Sequence, residues 1–231
     1  MGCKPEEERW VWLSFDPENK IILAAHLGDM TQKSSDEIVK QTSEVINENN
    51  LPLFVTDGRE FYKHSLLNKY SETIQPHPII KNGRLQKPII RPFEELKYAQ
   101  VIKTVKGGRI ESVKKSIVYG KPEEINYHDI STTLIERQNL NLRQDNKRLT
   151  RKTISYSKKD KWLQLSLDLY KTVHNFVKTH HSLKKKNLKK INDNVWKKYD
   201  KITPMMSIGL TDHIWSLKEL LTYPYHKNIS I

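Results

Sequence analysis

The first 56 residues alternate short apolar runs with one polar-rich stretch, and that order limits the folds open to the chain. Residues 9–16 (Arg-Trp-Val-Trp-Leu-Ser-Phe-Asp) and 20–27 (Lys-Ile-Ile-Leu-Ala-Ala-His-Leu) have the length and composition of β-strands. Asp16-Pro17-Glu18-Asn19 between them is a turn sequence, so the two are expected to pair as an antiparallel hairpin. Residues 34–49 place Ile38, Val45 and Ile46 at helical spacing behind Ser34 or Ser35 as N-cap, and residues 51–56 are apolar again. A β-β-α-β order of this kind predicts an α/β fold with a mixed sheet flanked by helices.

Further along, residues 59–69 read as a short helix and the Pro-rich stretch from Gln75 to Pro92 as irregular. Two strands are expected at 98–105 and 109–119 around a Gly107-Gly108 turn, followed by a helix over 133–149. In a longer helix over 158–180, Trp162, Leu165, Leu169, Val173 and Phe176 share one face and are expected in the core, as are Trp10, Trp12 and Trp215. The lysine-dense segment 184–201 and a closing helical region from Thr203-Pro204 to Leu221 complete the chain. The expected division is therefore a core at 1–183 and a basic helical C-terminal extension at 184–231.

Forty Lys and Arg against 27 Asp and Glu give a formal charge of +13, which favours a polyanion, and nucleic acid above all, as partner. Cys3 is the only cysteine, which rules out a disulfide framework or a thiolate zinc site within the chain. No run approaches the roughly 18 apolar residues of a membrane span, and the start has no signal-peptide core, so the expectation is a cytoplasmic, nucleoid-associated protein without membrane contact. Only nine of the 40 basic residues are arginines, and four of them, Arg137, Arg143, Arg148 and Arg151, fall in one short stretch. The planar guanidinium grips phosphate in a way an ammonium does not, so that stretch, with Asn139 and Lys147, is a candidate DNA-binding surface.

Two carboxylates stand in contexts that suit metal-dependent phosphoryl chemistry. Asp57 ends the apolar run Leu-Pro-Leu-Phe-Val-Thr-Asp-Gly, and Glu136 lies at the start of the basic helix, where Glu136, Asn139, Arg143 and Lys147 fall close together on a helical wheel. Hard cations take oxygen ligands, so such a pair can hold Mg²⁺ or Mn²⁺ against a phosphate. Each acid also has a structural reading. Thr133-Leu-Ile-Glu136 is a capping-box pattern, which spacing alone favours for Glu136, and Asp57-Gly58 is a strand-ending turn. Asp16 is read as a turn residue, and His26, His174, His180 and His181 match no common zinc spacing. The run from Lys184 to Lys190 is as compatible with a solvated face as with a DNA contact. Ser14, Ser131 and Tyr62 lack the partnered base that nucleophilic catalysis requires.

Several blocks resemble bacterial and archaeal transposases of the insertion-sequence-one family. They are Trp10-Val-Trp-Leu through His26-Leu-Gly-Asp29, Phe54-Val-Thr-Asp-Gly58, Ile135-Glu-Arg-Gln-Asn-Leu-Asn-Leu-Arg143 with Arg148-Leu-Thr-Arg151 and Ser155-Tyr-Ser-Lys158, and Thr203-Pro-Met-Met through Trp215. The resemblance implies a DDE enzyme with a ribonuclease H-like core, in which Asp57 and Glu136 are the second and third acids and bind Mg²⁺ or Mn²⁺. It implies DNA, both element ends and target, as partner, with Arg137, Asn139 and Arg143 holding phosphates, and an oligomer of identical chains. The first acid and its central strand are expected upstream of Met1, supplied by fusion to an upstream frame or lost. A non-catalytic DNA-binding remnant, or an inhibitor of a full-length transposase, is the alternative.

Overall fold

The computed structural model describes residues 8–77, 80, 81, 84, 85, 87–150, 154–192 and 195–224. In chain order the strands are β1 (Trp10–Asp16), β2 (Ile21–Gly28), β3 (Leu53–Asp57), β4 (Ser71–Ile74), β5 (Ile80–Lys81), β6 (Arg84–Leu85), β7 (Ile89–Pro92), β8 (Lys97–Lys106), β9 (Arg109–Tyr119), β10 (Lys184–Asn192) and β11 (Val195–Lys201). The helices are α1 (Gln32–Ser43), α2 (Glu60–Lys69), α3 (Thr133–Asp145), α4 (Asp160–Phe176), α5 (Pro204–Ser207) and α6 (Leu217–Thr222). Two compact units form: Met1–Trp12 with His26–Arg137, and Leu13–Ala25 with Gln138–Ile231. Their boundaries run through β1, β2 and α3, and position 183/184 falls inside the second unit.

The first unit is organised by a mixed three-stranded sheet of order β3-β8-β9, parallel between β3 and β8 and antiparallel between β8 and β9. Its core gathers Ala99 and Val101 of β8 with Ile125 and Ile130, and packs Leu53, Val55 and Ile117 against them. Tyr98 on the alternate face is fully buried, its hydroxyl 2.8 Å from Thr56 Oγ1 and accepting from Gln100 Nε2 at 2.9 Å. The expected α/β class and mixed sheet are thus present.

Helices α1 and α2 meet through polar atoms rather than a leucine seam. Gln32 Nε2 donates to Ser65 Oγ at 2.7 Å and to Asp36 Oδ1 at 2.8 Å, and Ser65 Oγ lies 2.8 Å from Ser35 Oγ. The expected extension of α1 to residue 49 does not form: the helix stops at Ser43 and leaves Val45 exposed. Thr42 and Ser43 turn their hydroxyls onto the carbonyls of Ile38 and Lys40, and Asn47 then accepts from Asn49 N–H in a local turn that competes with helix. The 75–92 stretch is also more ordered than expected, because β4 and β7 pair antiparallel from Ser71↔Pro92 to Ile74↔Ile89.

In the second unit, α4 is held to the end of the β1–β2 hairpin by side-chain bonds to the backbone. The Asn175 amide accepts from Ile22 N–H at 3.0 Å and donates to Ile22 C=O at 2.9 Å, as a neighbouring strand would. Gln164 Nε2 donates to the Ala25 carbonyl at 2.9 Å, and His174 Nε2 lies 2.8 Å from the Lys20 carbonyl. This docking turns the first half of the apolar face outward, while Val173 and Phe176 of that face stay half-buried. Leu167, His174 and Asn175 are buried, while Trp162, Leu165 and Leu169 are 57%, 48% and 50% exposed. Buried backbone groups require partners, and that demand outweighs burying the most apolar stripe.

The expected helical C-terminal extension is corrected as well. Residues 184–201 form the antiparallel β10–β11 hairpin, with Lys184↔Lys201 and Lys189↔Lys197 among its partners, and only the short α5 and α6 follow. In a helix the lysine run would stack like charges at i,i+4, whereas extended strands send neighbouring side chains to opposite faces. Trp215, as expected, is partly buried, in an aromatic cluster with Phe176 at 4.9 Å and Tyr223 at 5.1 Å. Among the described residues no helix is long and apolar enough to cross a membrane.

Two outcomes follow from the docking of α4. Asn175→Ala strands the buried N–H and C=O of Ile22 and is expected to cost about 2–4 kcal/mol in urea unfolding, whereas Trp162→Ser changes stability by less than about 0.5 kcal/mol. Burial holds the His174 imidazole below its usual value, against the opposing effect of the Lys20 carbonyl. Its contribution to stability is then complete above an unfolded-state value near 6.5 and is lost as pH falls through the depressed folded-state value. His174→Gln keeps a donor for Lys20, so the wild-type minus variant stability difference should shrink steadily on acidification; a pH-independent difference would refute the assignment.

Candidate active site

Asp57 sits at the C-terminal end of β3, in parallel register with Val101 of β8. C-terminal strand ends are where open parallel sheets present ligand-binding groups. The strand stops there because Gly58 allows the chain to pass β8: a Cβ at Gly58 would lie 3.0 Å from Ile102 Cγ1. Arg59 answers the carboxylate twice, through its backbone N–H to Oδ1 at 3.3 Å and its Nε at 3.4 Å from Oδ2. The Arg59 guanidinium also lies over the Trp10 ring at 5.8 Å. The expected Asp-Gly turn is therefore real, and the carboxylate is still 57% exposed within it.

Glu136 lies in the first turn of α3. Its Oε1 accepts from Lys103 Nζ on β8 and from Thr132 Oγ1 at 2.6 Å. The expected capping box with Thr133 does not form, because the helix already includes Thr133 and its first backbone bond runs from Glu136 N–H to the Thr132 carbonyl. Partial burial pushes the Glu136 carboxyl up, but the hydrogen bonds from Lys103 and Thr132 and the ammonium charge outweigh it and hold the group below the usual carboxylate range. At neutral pH it is an anion, the form a hard cation requires.

Strand β8 links the two acids. Val101 is the partner of Asp57, and Lys103, two residues further on, holds Glu136. Both carboxylates thus stand at one end of the β3–β8 pair, each countered by a basic side chain. Tyr62 lies near Asp57, with its phenol pushed up by burial and by the charge of that carboxylate. It stays protonated, in keeping with its exclusion as a nucleophile.

Among the described residues no group of three or more His, Cys, Asp or Glu gathers as a metal cluster. Two exposed carboxylates nevertheless fit Mg²⁺ or Mn²⁺, since these ions commonly take one or two protein carboxylates and complete their shell with water and substrate phosphate. Asp16 accepts from the N–H groups of Glu18 and Asn19 at 2.8 and 3.3 Å, the turn role read from the sequence. Arg59, Lys103 and Thr132 were not singled out by sequence reasoning. Arg59 could have been found from the spacing Asp57-Gly-Arg, but no local signal joins Lys103 to Glu136.

The candidate phosphate-binding residues divide between the units, Arg137 in the first and Asn139, Arg143, Lys147 and Arg148 in the second; Arg151 lies outside the described residues. Arg137 and Arg143 are exposed on α3, and Arg143 Nε donates to the Asn139 carbonyl at 3.2 Å. Lys147 does not continue that helical face, because α3 ends at Asp145 and Lys147–Leu149 is a separate 3₁₀ turn. Asn146 makes the break: its side chain accepts from Arg148 N–H at 3.1 Å and donates to Ser166 Oγ at 2.9 Å. Arg148 Nη1 in turn donates to Ser157 Oγ at 2.9 Å.

No curated protein and no solved structure matches this chain. Residues 113–192 match the family model of IS1 transposase, a span that takes in Glu136 and the whole arginine-rich stretch. Over residues 113–192, which hold the block from Ile135 to Lys158, the chain is similar to the IS1 transposases, as the resemblance read from the sequence implied.

Proposed function

We propose that this chain is the catalytic part of a DDE transposase with a ribonuclease H-like core, which cuts insertion-element ends and joins them to target DNA. The observation that carries this reading is the pair of exposed carboxylates at one sheet end, with Glu136 held ionised within the segment similar to IS1 transposases. Asp57 and Glu136 are the proposed Mg²⁺ or Mn²⁺ ligands and two acids of the triad. The third is proposed to come from a segment encoded in an upstream frame and fused to this one.

A bound Mg²⁺ or Mn²⁺ would supply Lewis acidity toward the phosphate and lower the pKa of water. Glu136 and Asp57 offer anionic oxygens to it, and Lys103 and Arg59, released from them, turn to the non-bridging phosphate oxygens. Water attacks phosphorus, the P–O3′ bond breaks, and the 3′ oxygen leaves as a hydroxyl at the element end. In the second step that hydroxyl attacks a target phosphate, one P–O3′ bond forms as another breaks, and no outside energy source is needed. Arg137, Asn139, Arg143, Lys147, Arg148 and Arg151 are the proposed contacts that hold the DNA backbone. A further copy of this chain is the proposed protein partner, and the nucleoid the proposed location.

A second reading, a non-catalytic DNA-binding remnant or inhibitor, is favoured by one observation: both acids are occupied by basic side chains, and the described residues bring no third acid to them. Incubation of the chain, alone and fused to its upstream frame, with element-end DNA and Mg²⁺ or Mn²⁺ separates the two. Nicking that falls at least about a hundredfold in Asp57→Ala and in Glu136→Ala is expected, since metal stabilisation contributes several kcal/mol. Salt-sensitive binding with no nicking in either form would overturn the enzyme reading in favour of the remnant. Lys103→Met removes the ammonium that lowers the Glu136 carboxyl, so a ¹³C NMR titration of that group should move to higher pH. No shift would show that Lys103 does not hold Glu136 in solution.

A further inference from the structure

Beyond the core, β8 and β9 continue as a ribbon whose side chains from Thr104 to Lys114 are all exposed. The register pairs Lys103↔Val113, Thr104↔Ser112, Val105↔Ile110 and Lys106↔Arg109, with an irregularity that leaves Glu111 without an opposite residue. Cross-strand partners share a face and neighbours along a strand alternate, so the ribbon has two unlike sides. One carries Lys106, Arg109 and Lys114 with the hydroxyls of Thr104 and Ser112. The other carries Lys103 at its root, with Val105, Ile110 and Val113, which are 61%, 58% and 53% exposed.

The tip is a tight turn through Gly107 and Gly108 at φ +57° and +77°, and a Cβ on either would meet nothing within 4 Å. A two-stranded ribbon in water is marginal by itself, and this one buries none of its outer half. Its charge is complementary to a polyanion. Lys106, Arg109 and Lys114 outnumber the single carboxylate of Glu111, which lies 3.7 Å from Lys106 in an exposed pair. The root of the ribbon is Lys103, the residue that holds Glu136.

We propose that the cationic face of the β8–β9 ribbon, formed by Lys106, Arg109 and Lys114, grips the phosphate backbone of duplex DNA, on the side of the ribbon opposite the one that carries Lys103. The proposal rests on the DNA-cutting reading above and deepens it by adding a contact of which Lys106 and Arg109 lie outside the matched span, which begins at residue 113. Thr104 and Ser112 supply hydroxyl donors on the same face. A two-stranded ribbon is also narrow enough for a major groove about 12 Å wide.

The test uses the full chain and a fluorescent duplex of about three helical turns, with binding followed by anisotropy from about 50 to 200 mM salt. The variant Lys106→Gln/Arg109→Gln/Lys114→Gln is compared with Val105→Thr/Ile110→Thr/Val113→Thr, with circular dichroism as the folding control. The cationic variant is expected to bind at least about tenfold more weakly and to flatten the salt slope by about 2–3, near 0.9 per phosphate contact. The apolar variant should bind within about twofold of wild type. A cationic variant that binds like wild type with an unchanged slope overturns this proposal alone, and an equal loss in the apolar variant overturns the choice of face. A wild-type chain that binds no duplex overturns the DNA-cutting reading together with this one. Ser112→Cys in a Cys3→Ser background, carrying tethered iron–EDTA, gives a second readout. Cuts confined to the few base pairs that face the ribbon, and lost in the cationic variant, are expected, and cuts spread evenly along the duplex overturn the placement.

Discussion

The parallel pairing of β3 with β8 is the constraint on which the first unit depends. A parallel pair cannot be closed by a tight turn, so the chain must travel from Asp57 to Lys97 through α2 and the small β4–β7 and β5–β6 ladders before it returns. That detour is repaid on both faces of β8. Ala99 and Val101 enter the apolar core on one side, while Tyr98 and Gln100 enter a hydrogen-bonded layer with Thr56 and the Arg59 carbonyl on the other. Once the register Leu53↔Lys97 is set, Asp57 must lie opposite Val101, and Lys103 must emerge two residues beyond it. A slip of one residue would send Lys103 to the opposite face and remove the partner of Glu136.

The second unit obeys a different rule. An isolated hairpin end offers backbone groups that must be satisfied, and α4 supplies Asn175, Gln164 and His174 for the purpose. The helix therefore turns its amide-bearing side inward and leaves Trp162, Leu165 and Leu169 outside. Periodicity located this helix to within a few residues, and likewise α2, β8, β9 and the first hairpin. It misjudged which side of α4 is buried because an apolar stripe reports what gains from burial, not what backbone the helix will meet. The β10–β11 hairpin was missed for a related reason. Lysine is weakly informative about strand or helix, and the pairing that decided the matter joins residues such as Lys185 and Asp200 that no local window connects.

For the candidate site, the acids themselves were legible and their surroundings were not. Asp57 stood out as the polar end of an apolar run, and Glu136 as a carboxylate opening an arginine-rich helix. Their neighbours reach them in three ways: Arg59 through a turn, Thr132 through the helix cap and Lys103 from across the sheet. Only the first two are local in sequence. The partner that lowers the Glu136 carboxyl most directly comes from a residue 33 positions away, which is why the capping reading chose the wrong threonine and overlooked the lysine.

The ion pairs at the two acids bear directly on how such a site would load. In the structure Glu136 is neutralised by Lys103 and Asp57 by Arg59, so neither carboxylate stands as a bare charge. A divalent cation that took Glu136 would leave the Lys103 ammonium unpaired, and a phosphate that took Lys103 would leave Glu136 unpaired. Either alone forfeits an attraction, whereas the two together exchange one set of opposite charges for another at little electrostatic cost. On the proposed function, cation and DNA backbone would therefore bind this site cooperatively, each raising the affinity for the other by the same factor. The same exchange at Asp57 and Arg59 adds to the coupling. On the proposed function, ion pairs of this kind would shield both acids until cation and DNA were present, which is a reason for a lysine and an arginine to occupy the two positions nearest the acids.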